Sequence, residues 1–143
     1  MREDWVYRRT AQFHETDQMG IIHHSNYIKW MEEARIYLMD KMGYSYRDMD
    51  DKGIYSPVLD VTCRYVKSVQ FNDKIRILVS LKSMSRVRFV LQYKMYNDSM
   101  DGILCTESTS THCFYRKDGS PRPLDLKQEL GAFFEKFPTE EEL

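Results

Sequence analysis

The sequence predicts an α+β domain in which a five-stranded antiparallel sheet packs on one long helix. Three observations carry this. Residues 26–42 place apolar groups at three- and four-residue spacing, five other stretches place them at every second position, and short Asn-, Asp- and Gly-containing turns separate the later stretches.

The first alternation sets Trp5, Tyr7, Ala11 and Phe13 against Val6, Arg8, Thr10 and Gln12, which reads as a strand. From Asn26 the period changes: Tyr27, Ile28, Met31, Ala34, Arg35, Leu38, Met39 and Met42 form a helical stripe, with Gly43 placed as the C′ residue. His24 or Ser25 caps this helix, Ser25 being chemically the better N-cap. Tyr44 to Lys52 is polar and reads as a short helical connection ended by Gly53.

Beyond Pro57 the period is two. Leu59, Val61, Cys63 and Tyr65 oppose Asp60, Thr62 and Arg64; Ile75, Ile77, Val79 and Leu81 oppose Lys74, Arg76, Ser80 and Lys82; Val87, Phe89, Leu91, Tyr93 and Met95 oppose Arg86, Arg88, Gln92 and Lys94. A last stretch runs from Ile103 to Arg116. Asn72-Asp73, Asn97-Asp98, Asp101-Gly102 and Asp118-Gly119 supply turns, and such short connections make successive strands antiparallel neighbours. After Pro121 and Pro123, Asp125 opens a D-x-x-Q capping pattern, and Leu126, Leu130, Phe133, Phe134 and Phe137 share a stripe, giving a short helix over about residues 125–137. Residues 1–143 form one domain. One main helix covers one sheet face, so pairing with a second subunit is expected.

A net charge of -1, from 21 basic and 22 acidic residues, gives no reason to expect nucleic acid or a membrane surface as partner. Cys63, Cys105 and Cys113 form no C-x-x-C pair and sit in strand-like stretches, which points to reduced thiols. The charged start Met1-Arg2-Glu3-Asp4-Trp5 has no apolar run after it, and the protein is expected in the cytoplasm.

The chemistry concentrates in Glu15-Thr16-Asp17-Gln18-Met19-Gly20-Ile21-Ile22-His23-His24-Ser25-Asn26-Tyr27. An isolated T-D-x-x-G reads most simply as a turn. Here, however, Gly20 permits a tight backbone, Ile21 and Ile22 exclude water, and a helix N-terminus with its free N–H groups follows at once. Asp17 is therefore the candidate nucleophile or base, and His24 at the helix start the candidate polariser of a carbonyl oxygen. His23 and His24 are adjacent, so their rings diverge, and no H-x-x-x-H or C-x-x-C spacing supports a metal. None is expected. The amide of Asn26 is placed to bond back to the loop, and Glu32 and Glu33 read as solvated or subunit-facing.

Arg64, Lys67, Arg86 and Arg88 lie near strand ends, where edge charge discourages aggregation; the sharper reading is a grip on the phosphates of a coenzyme A tail. There is no G-x-x-x-x-G-K-[ST] loop, no G-x-G-x-x-G turn and no G-x-S-x-G elbow.

The run from Thr16 to Tyr27, then Trp30, Glu33-Ala34-Arg35 and Arg64-Tyr65, resembles the hotdog-fold acyl-CoA thioesterases of the 4-hydroxybenzoyl-CoA thioesterase and YbgC-like group, over residues 5 to 116 in element order. The resemblance implies a sheet wrapped around a central helix, homodimers or homotetramers with sites at the dimer interface, and hydrolysis of an acyl-CoA to a carboxylic acid and coenzyme A. Coenzyme A is then part of the substrate, and no separate cofactor is expected. It implies Asp17 and His24 as catalytic residues, with Gly20, Ile22, His23, Asn26, Tyr27 and Glu33 as candidate substrate-binding residues. Glu15 stands where many relatives carry aspartate, and Ser68 where a proline is common. A hotdog-fold acyl-CoA hydratase or dehydratase, and a non-catalytic acyl-CoA-binding protein, are the alternatives.

Overall fold

The change from period two to period 3.6 near residue 24 is where the chain leaves its first strand for its long helix. The computed structural model describes residues 3–119 and 122–142; Met1 and Arg2, and the Pro121 that precedes the predicted terminal helix, lie outside the described residues. Strand β1 (Tyr7–Thr10) is shorter than its alternation predicts, because Glu3–Trp5 and Phe13–Glu15 form 3-10 turns on either side of it.

Helix α1 (His24–Lys41) buries Tyr27, Trp30, Met31, Ala34, Leu38 and Met39 on one face. Its end is a Schellman turn: Gly43 at φ +88° lets its N–H reach Asp40 O at 3.0 Å while Tyr44 N–H reaches Met39 O at 2.9 Å. Its start differs from expectation. The N-cap is His23, whose ring Nδ1 accepts from the Ser25 N–H, so Ser25 is a helical residue rather than the cap. Helix α2 (Tyr46–Asp51) is the short polar connection, capped by Ser45 and followed by Gly53.

The chain then forms β2 (Ile54–Tyr55), β3 (Val58–Tyr65), β4 (Lys74–Met84), β5 (Phe89–Asn97), β6 (Ile103–His112), β7 (Tyr115–Arg116) and α3 (Leu126–Lys136). The main sheet has five strands in the order β1-β4-β5-β6-β3, every pair antiparallel. Sequential pairing holds for β4, β5 and β6 and fails for β3. Two strands separate β3 from β4, and residues 66–73 carry the chain from one sheet edge towards the other. The single stretch predicted from Ile103 to Arg116 is also broken: Phe114, 2% exposed, turns into an aromatic cluster with Phe89, Phe133 and Phe134. Beyond it, β7 pairs with β2 in a separate two-stranded ladder.

On β5 the alternation is complete, with Phe89, Leu91, Tyr93, Met95 and Asn97 buried against the helix side. Each apolar side chain so covered contributes about 1.5–3 kcal/mol of transfer free energy. Edge strand β3 is the opposite case: Val58, Leu59, Val61 and Tyr65 are all exposed. In α3, Asp125 accepts from the Gln128 N–H as the capping pattern requires, and a kink at Leu130 precedes Gly131. No helix of the described residues is long and apolar enough to cross a membrane.

One polar chain runs through the layer between α1 and the sheet. Tyr93 Oη and Ser110 Oγ lie 2.6 Å apart, and Ser110 Oγ lies 2.6 Å from His112 Nε2. Burial, reinforced by the Arg35 guanidinium, pushes the His112 imidazole down to about 3. The unfolded chain binds this proton near pH 6.5 and the folded chain does not, so stability is present above that pH and lost as pH falls towards the folded value. Unfolding free energies from urea titrations are expected to fall with a slope approaching about 1.4 kcal/mol per pH unit between about pH 6 and about pH 4 from this residue. The H112N variant should lack that component; equal slopes in the two proteins would contradict it.

Candidate active site

The site begins with a buried carboxylate. Glu15, 5% exposed, ends the 3-10 turn after β1. Its Oε1 accepts from the Gln12 N–H at 2.8 Å, and its Oε2 accepts from Arg9 Nη1 and Trp30 Nε1, each at 2.8 Å. Arg9 also lies over the Trp30 ring, 4.6 Å from its centroid. The Glu15 carbonyl accepts from the His23 N–H at 2.9 Å and from Asn26 Nδ2 at 2.8 Å. One residue thus ties β1, the turn and the first turn of α1 together.

Between these anchors the chain forms a small hairpin. Thr16 bridges Ile22, the Asp17 N–H reaches Ile21 O at 2.9 Å, and the Gly20 N–H reaches Asp17 O at 3.0 Å. Gly20 at φ +78° fills the left-handed position of a type I turn with a G1 bulge. Ile22 N–H donates to Val69 O and Ile21 bridges Gln70, which fastens the hairpin to the segment after β3. Asp17 is half-buried; its Oδ1 accepts from the Met19 N–H at 2.8 Å, and its Oδ2 has no partner among the described residues.

At the helix start the donors are unevenly used. Ser25 N–H goes to His23 Nδ1 at 3.2 Å, Asn26 N–H goes to His23 O at 3.0 Å, and the His24 N–H has no partner among the described residues. His24 is exposed, and its ring lies 4.1 Å from that of His23: the two do not diverge as expected of adjacent residues, because His23 is the non-helical cap and His24 the first helical residue. Tyr65 from β3 donates its hydroxyl to His24 O at 3.0 Å and meets the Tyr27 ring edge-on. A free carboxylate oxygen and an unused N–H at the positive end of a helix suit attack on an acyl carbon and stabilisation of the resulting oxyanion.

The other predicted residues divide. Gly20 and His23 sit in this loop and cap, Asn26 is used by the Glu15 carbonyl, and Ile22 and Tyr27 are each 3% exposed, supporting the loop from within. Burial pushes the Tyr27 phenol well up. Glu33 is not brought here. It lies about half a turn out of phase with His24, accepting from Tyr7 Oη at 2.9 Å and pairing with Arg9 Nε at 3.5 Å on the β1 side.

The four cations do not form one cluster within a chain. Tyr65 is level with Thr106, and Phe89 with His112; Arg64 and Lys67 therefore sit about 20 Å along the sheet from Arg86 and Arg88. Arg86 pairs instead with Asp125 at 3.9 Å. A cleft of about 640 Å³ lined by Met84, Arg86, Asp125 and Phe134 lies at that far end, away from Asp17. Two residues join the site without having been assigned to it: Glu15, which opens the motif run and stands where many relatives carry aspartate, and Tyr65, which shares in the family resemblance but was given no role beyond a strand face.

A family model described as the thioesterase-like superfamily matches residues 11–134. A putative acyl-CoA thioesterase, YneP of Bacillus subtilis (strain 168), is 33% identical over 118 residues, covering 82% of this chain and 83% of that protein. The solved DHNA-CoA thioesterase from Staphylococcus aureus is 33% identical with a TM-score of 0.81, covering 92% of this chain and 86% of that one. A 4-hydroxybenzoyl-CoA thioesterase mutant solved with 4-hydroxybenzoyl-CoA, 19% identical with a TM-score of 0.79, covers 92% of this chain and 96% of that one and shows likeness of fold.

Replacing Glu15 with alanine leaves Arg9, whose side chain is 13% exposed, with only its longer pair to Glu33, and leaves the Gln12 N–H and Trp30 Nε1 without their acceptor. The expected loss is about 3–5 kcal/mol in urea unfolding, with glutamine at this position falling between alanine and wild type. A loss under about 1 kcal/mol for Glu15→Ala would show that the anchor is dispensable.

Proposed function

The chain belongs to the thioesterase-like superfamily, with the hotdog fold, and on that premise we propose that it hydrolyses an acyl-CoA thioester to the free carboxylic acid and coenzyme A. The observation that carries the reading is the pairing of the free Asp17 carboxylate oxygen with the unpartnered His24 N–H across one short hairpin.

The thioester carbonyl oxygen lies at the His24 N–H, where negative charge developing on it is met by the helix N-terminus. Asp17 then acts in one of two ways. As a base it removes a proton from water, the hydroxide adds to the acyl carbon, and collapse of the tetrahedral species expels the thiolate, which takes up the proton. As a nucleophile it displaces the coenzyme A thiolate from the acyl carbon to form an acyl–aspartyl anhydride, which water hydrolyses to the free acid and the regenerated carboxylate, the released proton going to the thiolate. Either path yields one acid and one thiol per water.

The site is open in a single chain, and β3 beside it presents Val58, Val61 and Tyr65 to solvent on an unpaired sheet edge. A homodimer joined along this edge covers that apolar surface and walls the site from the partner side; two such dimers make a tetramer. Arg64 and Lys67, at the same end of β3 as Tyr65, are placed for the phosphates of the coenzyme A tail. The three free cysteines, two of them buried, fit a reducing compartment such as the cytoplasm.

Asp17→Asn should lower turnover in a thiol-release assay by at least ~100-fold with the thermal unfolding profile unchanged. Wild-type rates in that folded variant would remove Asp17 from the chemistry. Light scattering after size-exclusion chromatography should give a dimer or tetramer mass; an active monomer would contradict an interface site.

A further inference from the structure

Arg35 is the least satisfied charge of the α1–sheet layer. A guanidinium carries five donors in a rigid fork, yet Arg35 makes one long bond, from Nη1 to Tyr93 Oη at 3.5 Å, and no ion pair among the described residues. Glu32, three residues earlier on the same helix, is exposed and does not pair with it. The groups it touches are held neutral, burial pushing the Tyr93 phenol up and the His112 imidazole down, and the carboxylate that also acts on the Tyr93 hydroxyl is that of solvent-exposed Glu32. A half-buried guanidinium that faces a carboxylate only across solvent is weakly compensated.

Its position connects it to the reacting end of the site. Arg35 lies about three turns, or ~16 Å, beyond His24 and on nearly the same helix face. Ile28, 44% exposed, lies on that stripe between them. Facing the stripe, Tyr65, Cys63 and Val61 of β3 point to the helix side, as the Tyr65–His24 bond shows. They are level with Thr106, Ser108 and Ser110 of β6, and Ser110 bonds the same Tyr93 hydroxyl that Arg35 reaches. A trough thus runs from the His24 N–H along α1 and ends at Arg35.

The strand beneath it is not what an alkyl tail needs. Thr106, Ser108, Ser110 and His112 form a buried polar stripe; Ser110 and His112 bond one another, while the Thr106 and Ser108 hydroxyls have no hydrogen-bond partner among the described residues. An unbranched hydrocarbon would leave those two hydroxyls and the Arg35 fork unsatisfied.

Resting on the thioesterase reading, we propose that Arg35 selects the acyl group, and that the group it selects ends in a carboxylate. The carbonyl sits at the His24 N–H, the chain follows the trough, and the distal carboxylate takes the free edge of the Arg35 fork in a charge-assisted pair.

The test uses two acyl-CoAs of equal carbon number, one saturated and one bearing an ω-carboxylate, over a range of lengths. In wild-type protein, kcat/KM by thiol release should favour the ω-carboxylate at the fitting length by at least ~10-fold. Arg35→Met should bring that ratio close to one, and Arg35→Lys, which keeps the charge without the fork, should restore part of it. The same pairs titrated calorimetrically into Asp17→Asn protein read binding without turnover, and tighter binding of the ω-carboxylate is expected there too. Equal values for the two compounds in wild type, a ratio unchanged in Arg35→Met, or conversion of Arg35→Met to a monomer, which would make Arg35 a subunit-contact residue, overturns the proposal. Discrimination in the calorimeter with no thiol release from wild type would instead overturn thioester hydrolysis and leave Arg35 as the selector.

Discussion

Everything in the candidate site hangs on the charge of Glu15. Its side chain holds strand β1 and helix α1 together through Arg9 and Trp30, and its carbonyl fixes the helix start through His23 and Asn26. A carboxylate that is 5% exposed survives burial only because three donors surround it and one is a cation. The arrangement makes geometry rigid where chemistry requires it. Asp17 begins a hairpin whose two ends are pinned, one by Glu15 and the other by the Ile22–Val69 bond.

The second constraint is the competition for N–H groups at the start of α1. A helix leaves its first N–H groups without internal partners. His23 consumes two of them, with its ring and with its carbonyl, and the one left over belongs to His24. A serine or aspartate cap would serve the helix equally well. The His23 imidazole, tilted against that of His24 with ring centroids 4.1 Å apart, adds bulk beside the remaining donor.

Much of this was legible in the sequence. The stripe from Tyr27 to Met42 fixed α1 with its Gly43 stop, alternation located the five main strands, and Asp125-x-x-Gln marked the last helix. What periodicity missed depends on partners distant in the chain. β2 and β7 are two residues each, too short for any period to register, and they exist because they pair with one another. The place of β3 at the far edge is a matter of topology, which local pattern does not encode. His23 displaced Ser25 as the cap because its ring Nδ1, two residues earlier, accepts from the Ser25 N–H and so starts the helix before Ser25. In the site, the motif pointed to the loop and helix start that hold Asp17 and His24, whereas Glu33, named with them, stands about half a turn round the helix on the β1 side, because nearness in the chain is not nearness in space when the phase differs. Likewise the four cations looked alike in sequence and are divided by the length of the sheet.

The hairpin that holds Asp17 is closed by main-chain bonds and by a glycine, with Gln18 and Met19 exposed at its tip. Only the Met19 N–H is used, and that donor is present whatever side chain follows it, proline excepted. The two tip positions are therefore exchangeable without displacing the carboxylate. Descendants of this chain can alter what borders the candidate site by drift at these positions, while the Asp17 carboxylate stays where it is.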